Sequence, residues 1–323
     1  MPGQENNQGV ELMKVVITGG AGFIGSHLVE HWLGEGAEVH ILDNFRSGRR
    51  ENTALFPRAR LHEASITDRE AVFDVLRDAD YVHHLAAMIS VPESMEKPLE
   101  CVEINVNGLI HILDAAREHG VKKVVHSSSA AVYGDNPASP KTTDMRPEPK
   151  SPYGITKLDG EYYLDMYREA FGLGTVSLRY FNVFGPRQDP KSQYAAAIPI
   201  FVNRALKNED LVIFGDGEQT RDFVYVKDVV QANVLAATGK AGGRYNVANG
   251  YAISIRELCE LIIRTTDSKS KIVFADERPG DIKHSLASVE KTREALGYQP
   301  RFDLIEGLTH TIRYFAGLFT VGR

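Results

Sequence analysis

Cysteine is almost absent from this sequence, which limits both cross-linking and metal binding. Only Cys101 and Cys259 occur among the 323 residues, so there is no disulfide framework and no cysteine spacing typical of a zinc site. Eleven histidines are present, but none falls in an HExxH or comparable ligand pattern. We therefore expect no metal in the site, and the few cysteines suit a reducing cytoplasm.

Dense charge blocks and long apolar runs are missing as well. The net charge is −6 without a basic run, which argues against nucleic acid as a partner. The longest apolar run, 195–202, contains Pro199, so we expect no membrane span. Residues 1–12 are polar and lack the apolar region of a signal peptide. We interpret them as a disordered leader.

Strand-like and helix-like segments alternate over the first 180 residues. Buried parallel strands are continuously apolar, and strands alternating with helices predict βαβ units. The predicted strands are 13–18, 39–42, 60–62, 81–85, 121–126 and 175–180, and the predicted helices are 22–34, 68–77, 100–119 and 153–171. The pattern predicts an α/β fold with a doubly wound parallel (Rossmann) sheet.

The regular alternation of strands and helices ends at about Phe181, and beyond it prolines and glycines separate shorter elements. We assign residues 13–181 to a first domain and 182–323 mainly to a smaller lobe. The strand and helix over 223–238 are expected to return to the first domain. Such a lobe would close over the carboxyl edge of the sheet, where parallel sheets bind ligands.

The sequence TGGAGFIG at 18–25 is a glycine-rich strand-to-helix turn. Gly19, Gly22 and Gly25 are spaced by three, unlike the GxGxxG of many dehydrogenases. Glycine allows positive φ and lets the backbone approach a pyrophosphate, while the helix N-terminus offers free N–H groups. Asp43 ends strand 2, where a carboxylate accepts ribose hydroxyls and repels a 2′-phosphate. This favours NAD over NADP, although Arg46 and Arg49 keep NADP open, and Asp43 can equally be a turn residue.

Tyr153 and Lys157 lie one helical turn apart in SPYGITK at 151–157, on one helix face. Tyrosine is a poor base near neutral pH, and a nearby ammonium together with an oxidised nicotinamide ring favours its phenolate. YxxxK is also common by chance. The position of the pair in the chain strengthens the hypothesis that Tyr153 is a catalytic base. The predicted strand 121–126 is followed by three serines at 127–129, and the Ser129 hydroxyl can reach the same substrate oxygen as Tyr153.

These motifs belong to an ordered series that resembles the extended short-chain dehydrogenase/reductase family, and within it the UDP-sugar 4-epimerases. The resemblance runs from about Lys14 to the C-terminal helix. Its segments are TGGAGFIG at 18–25, DNFRSG at 43–48, HLAA at 84–87, NVNG at 105–108, SSSAAVYG at 127–134, SPYGITK at 151–157, RYFNVFGPRQ at 179–188, GDGEQTRDFVYVKD at 215–228 and RPGD at 278–281.

The resemblance implies a retained NAD that oxidises the sugar and then reduces it within one turnover. Tyr153 would take the proton of the 4-hydroxyl, Ser129 would hydrogen-bond the 4-oxygen, and Lys157 would hold the nicotinamide ribose. A 4-keto sugar would rotate and receive the hydride on its other face. The implied NAD contacts are Gly19, Gly22, Phe23, Ile24, Asp43, Asn44, Ser47, Gly48, Ile66, Leu85, Ala86, Ala87, Asn105, Ser127, Tyr153, Lys157 and Tyr180.

The resemblance also implies a UDP-sugar substrate in the smaller lobe. Its implied contacts are Ser90, Ser129, Tyr153, Asn182, Phe214, Arg221, Arg278, Asp281 and Ser285. The two arginines would bind the diphosphate, Asp281 the uridine ribose, and Phe214 the uracil. One departure is Ser65–Ile66, where the family often has an acidic residue that contacts adenine, so that contact is expected to be weaker or lost.

Ser285 bears on which sugar enters the pocket. In the resembling family the matching side chain lies beside the C2 substituent, and a small residue leaves room for an N-acetyl group. Serine is small, which predicts that UDP-N-acetylglucosamine and UDP-N-acetylgalactosamine enter as well as UDP-glucose and UDP-galactose. The alternative interpretation is a loop residue displaced by a different loop path.

Relatives with other chemistry stay under consideration. Dehydratases and decarboxylases of this kind place acidic residues beside the catalytic serine, where this chain has Ala130 and Ala131. UDP-glucuronate 4-epimerase and a non-catalytic NAD-binding sensor remain open. The family pairs the helices near 100–119 and 153–171 across a homodimer interface; packing of both helices on the sheet alone is the other interpretation.

Overall fold

Strands and helices alternate along most of the chain that the computed structural model describes, residues 12–190, 196–277 and 283–321. The strands are β1 (Lys14–Thr18), β2 (Glu38–Leu42), β3 (Arg60–His62), β4 (Tyr81–His84), β5 (Lys123–Ser129), β6 (Thr175–Tyr180), β7 (Asn182–Phe184), β8 (Leu211–Phe214), β9 (Thr220–Tyr225), β10 (Gly243–Val247), β11 (Ala252–Ser254), β12 (Ile272–Ala275) and β13 (His284–Ser285). The helices are α1 (Phe23–Gly34), α2 (Arg50–Ala54), α3 (Arg69–Leu76), α4 (Val91–Glu96), α5 (Pro98–Val102), α6 (Gly108–Glu118), α7 (Pro152–Phe171), α8 (Ala197–Leu206), α9 (Val226–Thr238), α10 (Ile255–Thr266), α11 (Glu290–Leu296) and α12 (Leu304–Val321). Within those ranges, no helix is both long and apolar enough for a membrane crossing.

Seven parallel strands form the main sheet, in the order β10-β6-β5-β4-β1-β2-β3. Both faces are covered, so the centre of β1 is apolar: Val15 and Ile17 belong to the core on one face and Val16 to the core on the other. The strand order reverses between β1 and β4, and ligands bind at such a switch point. This topology confirms the predicted doubly wound parallel sheet.

The helix predicted over 100–119 is divided into three parts. α5 ends at Val102, a π-helical turn occupies Glu103–Asn107, and α6 begins at Gly108. The wider turn accompanies a close approach, since a Cβ at Gly108 would lie 2.7 Å from the Ile66 side chain. π-turns recur at functional sites. Hydrophobic periodicity does not reveal one extra residue in a turn, which explains why the sequence predicted a continuous helix.

The smaller lobe holds two further sheets. β9 pairs with β7, β11 and β13, and β8 pairs with β12. α9 packs on the main sheet, against β4, β5 and β6. β9, the strand before it, pairs with β7, β11 and β13, and β10 is the strand that joins the main sheet beside β6. Which sheet a short strand joins depends on long-range pairing that local pattern does not encode.

Candidate active site

A cleft of ≈ 690 Å³ opens at the carboxyl ends of the main-sheet strands. It collects residues that are far apart in sequence but follow neighbouring parallel strands. Sixteen of the seventeen residues predicted to contact the cofactor line it, all but Asn105: Gly19, Gly22, Phe23, Ile24, Asp43, Asn44, Ser47, Gly48, Ile66, Leu85, Ala86, Ala87, Ser127, Tyr153, Lys157 and Tyr180. The structure therefore brings nearly all of this predicted set into one place.

The glycine turn forms the floor of this cleft. Gly19 has φ +72°, a region that L side chains rarely adopt. A Cβ at Gly25 would lie 2.2 Å from the carbonyl oxygen of Gly19, so only glycine permits this approach of helix and turn. Gly22 caps α1 without a side-chain hydrogen bond, which leaves the first N–H groups of the helix available for an anion. This cradle fits a dinucleotide pyrophosphate.

Asp43 lies at the end of β2 with its carboxylate in the cleft. Its Oδ2 accepts from the Ala21 N–H (2.9 Å) and its Oδ1 from the Phe45 N–H (2.8 Å). Burial raises the pKa of Asp43, and these two hydrogen bonds oppose that rise. A Cβ at Gly48 would lie 2.7 Å from Oδ1, so glycine lets the turn fold over the carboxylate. The geometry fits both the turn role and a ribose contact.

Two arginines beside Asp43 also line the cleft. Arg46 pairs with Glu93 (2.8 Å) and Glu100 (2.5 Å), and Arg49 lies 3.6 Å from Glu51. Carboxylates therefore offset the positive charge that a 2′-phosphate would require, which favours NAD over NADP. At the adenine end, Ser65 bonds the hydroxyl and N–H of Thr67, so this hydroxyl serves the local turn.

Asn105 does not line the cleft but supports its wall. Its Oδ1 accepts from the Met88 N–H (2.7 Å), and its Nδ2 donates to the Met88 carbonyl (3.1 Å) and to Thr156 Oγ1 (3.0 Å). The side chain thus joins the segment after β4 to α7. Nearby, Ser90 caps α4 by accepting from the Glu93 N–H (3.1 Å) and lies outside the cleft-lining set.

The predicted catalytic residues meet where β5 and α7 adjoin. Lys157 Nζ donates to the Ser127 carbonyl (2.7 Å) and lies 5.8 Å from the Tyr153 ring centroid. The Ser129 hydroxyl is hydrogen-bonded to Tyr153 and also accepts from the Ala131 N–H (3.1 Å). Tyr153 and Lys157 face the cleft because they are four residues apart on α7, and Ser129 ends the strand beside them.

Burial dominates the protonation of these groups. It raises the pKa of Tyr153, an effect that the hydrogen bond from Ser129 opposes. It lowers the pKa of Lys157 to about 8. The side chains alone therefore do not produce the phenolate that the sequence motif suggested, since desolvation disfavours the charged form of each group.

Tyr180 lines the same cleft as Tyr153 and Lys157, and its phenol is neutral. Its hydroxyl receives a hydrogen bond from Ser127 Oγ (3.1 Å) and shares two with the Asn233 amide. Burial raises the pKa of Tyr180 to about 12. Tyr180 thus forms part of the cleft wall with its hydroxyl already hydrogen-bonded.

Four further predicted substrate residues, Asn182, Phe214, Arg221 and Ser285, lie in the smaller lobe and do not line this cleft. Asn182 donates to the Asp222 carbonyl (3.0 Å) from β7, and Phe214 ends β8. Ser285 of β13 pairs with Arg221 of β9. Arg278 and Asp281 lie outside the described residues. The substrate set is thus brought together only in part, and its roles stay predictions.

No sequence pattern indicated a role for the segment after β7, yet Arg187, Gln188 and Asp189 line the cleft. The motif GPRQ at 185–188 carried the resemblance without a chemical function. A helix or strand pattern would not reveal them, because they lie in a loop of the other lobe. Among the described residues there is no cluster of three or more histidine, cysteine or acidic side chains that could hold a metal ion.

The chain is similar to known proteins in sequence and in fold. Residues 15–248 match the profile described as the NAD dependent epimerase/dehydratase family. The UDP-glucose 4-epimerase of Mycolicibacterium smegmatis is 41% identical over 318 residues, covering 94% of this chain and 98% of that protein. The UDP-N-acetylglucosamine 4-epimerase of Methanobrevibacter ruminantium, solved with UDP-N-acetylmuramic acid, has a TM-score of 0.91 at 41% identity, over 96% of this chain and all of that one (100%). The Thermus thermophilus UDP-glucose 4-epimerase, solved with NAD, has a TM-score of 0.86 at 38% identity, over 94% and 99% of the two chains. This chain therefore belongs to the NAD-dependent epimerase/dehydratase family, and its cofactor is NAD.

Proposed function

We propose that the protein is a UDP-hexose 4-epimerase with tightly bound NAD. It would interconvert UDP-glucose and UDP-galactose, and also their N-acetylated counterparts. The observation that carries the proposal is the meeting of Ser129, Tyr153 and Lys157 at the cofactor cleft. Similarity to UDP-glucose and UDP-N-acetylglucosamine 4-epimerases over nearly the whole chain supports it.

Each side chain has a separate task in this proposal. NAD, held by the glycine turn and Asp43, supplies a reversible hydride acceptor and a positive ring when oxidised. Tyr153 takes and returns the proton of the sugar 4-hydroxyl, since its phenol is directed into the cleft and bonded by Ser129. Lys157 contributes a buried positive charge beside the Tyr153 ring, which favours the phenolate during proton removal.

Other reactions of the family find less support. Ala130 and Ala131 follow Ser129 directly in the 3₁₀ turn that extends to Tyr133, and alanine moves no proton for dehydration or decarboxylation. A glucuronate would place a carboxylate in the cleft. The cleft arginines are already engaged by acidic groups: Arg46 by Glu93 and Glu100, Arg49 by Glu51, and Arg187 by Glu30. A neutral hexose fits this charge distribution better, and a non-catalytic sensor would not need the catalytic cluster.

The deciding experiment is epimerisation of UDP-galactose and UDP-N-acetylgalactosamine by purified protein without added NAD, followed by NMR. We expect both substrates to turn over, because the cofactor is retained and the pocket is roomy. Turnover of UDP-galactose alone would support the epimerase mechanism, but it would contradict the prediction that the pocket beside Ser285 accepts an N-acetyl group. Failure of both, with NAD shown in the protein, would contradict the proposal and direct the assay to UDP-glucuronate.

Ser285→Tyr provides the specificity test in the same assay. Ser285 is half-buried on β13 beside Arg221, and a tyrosine ring would fill the space proposed for the N-acetyl group. We expect turnover of UDP-N-acetylgalactosamine to fall by about a hundredfold or more, with UDP-galactose changed only slightly, because steric exclusion costs about 3 kcal/mol. Equal loss for both substrates would reject Ser285 as a determinant, and Ser285→Ala is the control that keeps the side chain small.

We further propose that the chain forms a homodimer through the outer faces of α4, α5 and α7. Large apolar side chains are exposed there: Met95 59%, Leu99 85%, Val102 43%, Ile155 47%, Tyr162 52% and Met166 42%. Contacts between α7 and both α4 and α5 make this one continuous surface. A patch of this kind normally marks an interface. Both cysteines are free and buried, which supports a cytoplasmic location.

Leu99→Glu tests the dimer by sedimentation equilibrium. We expect the wild type to have twice the chain mass of 35.8 kDa, and the variant to shift towards a single chain, because a buried unpaired carboxylate opposes association. Leu55→Glu is the control, since Leu55 is 58% exposed but follows α2, away from the patch. A monomeric wild type would contradict the proposal.

A further inference from the structure

A buried arginine, Arg187, links the segment after β7 to the first domain. Arg187, Gln188 and Asp189 form a cleft wall that belongs in sequence to the smaller lobe. Arg187 is only 6% exposed and has φ +69°, which non-glycine residues adopt rarely and keep only where contacts hold them. The backbone of this wall is therefore held by the side chain of Arg187.

The hydrogen bonds that the Arg187 side chain donates all reach α1, the helix that follows the pyrophosphate turn. Nη1 donates to the Ser26 carbonyl (3.3 Å), while Nη2 lies 2.5 Å from His27 Nδ1 and donates to Glu30 Oε2 (2.8 Å). Lys227, in the first turn of α9, donates to the same Glu30 oxygen (2.6 Å). We call Arg187, His27, Glu30 and Lys227 the Arg187 cluster.

His27 of α1 contacts both the backbone and the arginine of the segment after β7. Its Nε2 lies 2.9 Å from the Pro186 carbonyl, so Nε2 carries the proton and Nδ1 accepts from the Arg187 guanidinium. Burial lowers the pKa of His27, Glu30 opposes that shift, and Arg187 adds to it. Glu30 accepts hydrogen bonds from both Lys227 and Arg187, and these two cations hold the pKa of Glu30 well below its usual range. The cluster thus joins a neutral imidazole to an ionised carboxylate between two cations.

We propose that the Arg187 cluster fastens the wall 186–189 onto α1 and thereby retains NAD in the cleft. Departure of a dinucleotide requires the wall and the start of α1 to separate, and the cluster spans that gap. Arg187 is a positioning residue in this inference, and Glu30 acts through it because Glu30 lies outside the cleft lining. The inference rests on the proposed function only in that NAD is the bound cofactor.

The test measures NAD exchange and needs no sugar turnover. Holoenzyme loaded with radiolabelled NAD is mixed with excess unlabelled NAD, and the retained label is followed with time. We expect Arg187→Gln and Glu30→Gln each to release label about tenfold faster or more, because each removes the partly buried charge-assisted hydrogen bond between these two side chains. Arg77→Gln is the matched control, since Arg77 pairs with Asp74 (3.2 Å) at an exposed site, and it should release label as the wild type does.

Every outcome of the NAD exchange experiment either supports or overturns the role proposed for the Arg187 cluster. Faster release from Arg187→Gln alone would show that the guanidinium acts on the cofactor directly, and would overturn the cluster. Unchanged release from both variants would overturn it as well, even if thermal unfolding shifts, since that is what a merely structural role predicts. If Arg187→Gln does not fold, the half-exposed Glu30 position decides. A wild type purified without NAD would contradict the proposed function, while exchange of added NAD would still test the cluster.

Discussion

Tyr153→Phe should lower kcat by about a thousandfold, because the variant loses the group that carries the proton of the sugar 4-hydroxyl. The phenyl ring retains the packing of Tyr153, and its backbone N–H still donates to Ser94 Oγ (3.2 Å), so the start of α7 should be unchanged. Ser129 and Lys157 remain in place beside the ring. We therefore expect KM and NAD content close to those of the wild type. Turnover followed by NMR gives kcat and KM, and the absorbance of NAD released from the protein gives the NAD content.

The matched control is Tyr162→Phe on the same helix. Tyr162 is 52% exposed, and its ring lies 5.8 Å from the Arg244 guanidinium, so loss of this hydroxyl should leave kcat unchanged. A Tyr153→Phe enzyme that keeps a tenth or more of wild-type kcat would contradict proton transfer by Tyr153. Loss of NAD from that variant would indicate a cofactor-binding role instead.

Glu161→Gln should destabilise the fold by about 3 kcal/mol or more, because it leaves a buried guanidinium without its counter-charge. Glu161 and Arg179 are 1% and 0% exposed, and they form two hydrogen bonds, of 2.8 and 2.7 Å. Glu161 also accepts from Ser128 Oγ (2.6 Å). Glu161 follows Lys157 by four residues on α7, so the Glu161–Arg179 pair lies on the same helix face as Tyr153 and Lys157. The midpoint of urea unfolding measures the loss.

Two variants serve as controls for the buried pair. Asp74→Asn breaks the exposed pair with Arg77 and should cost well under about 1 kcal/mol. Replacement of both Glu161 and Arg179 by methionine leaves no unpaired charge, and we expect it to regain much of the lost stability. A Glu161→Gln variant as stable as Asp74→Asn would show that the pair contributes little to folding.

Local pattern predicted most of the main sheet because its strands are short apolar runs between turn residues. β1, β3 and β6 appear within a residue of their predicted bounds. The pattern did not place β10 in that sheet, since a five-residue strand shows its partner only when the lobes assemble. The turn at Glu103–Asn107 was missed for a related reason: the approach of Gly108 to Ile66 is a tertiary contact between segments far apart in sequence.

The same division applies to the site. Residue type alone indicated the glycine turn, Asp43 and the Tyr153–Lys157 pair, because positive φ, close approach and helical spacing are local properties of the chain. The tertiary structure decided what these groups experience. Burial, which raises the pKa of Tyr153 and lowers that of Lys157, depends on the segments packed around them.

The sequence by itself determined the class of fold, the glycine turn and the placement of Tyr153 and Lys157 on one helix face, since each follows from the periodicity or conformational freedom of a few neighbouring residues. Only the tertiary structure decided that Asn105 supports the cleft wall after β4 and that Arg187 joins the wall 186–189 to α1. Both depend on pairing between segments 17 or more residues apart, which chain folding creates and no local pattern records.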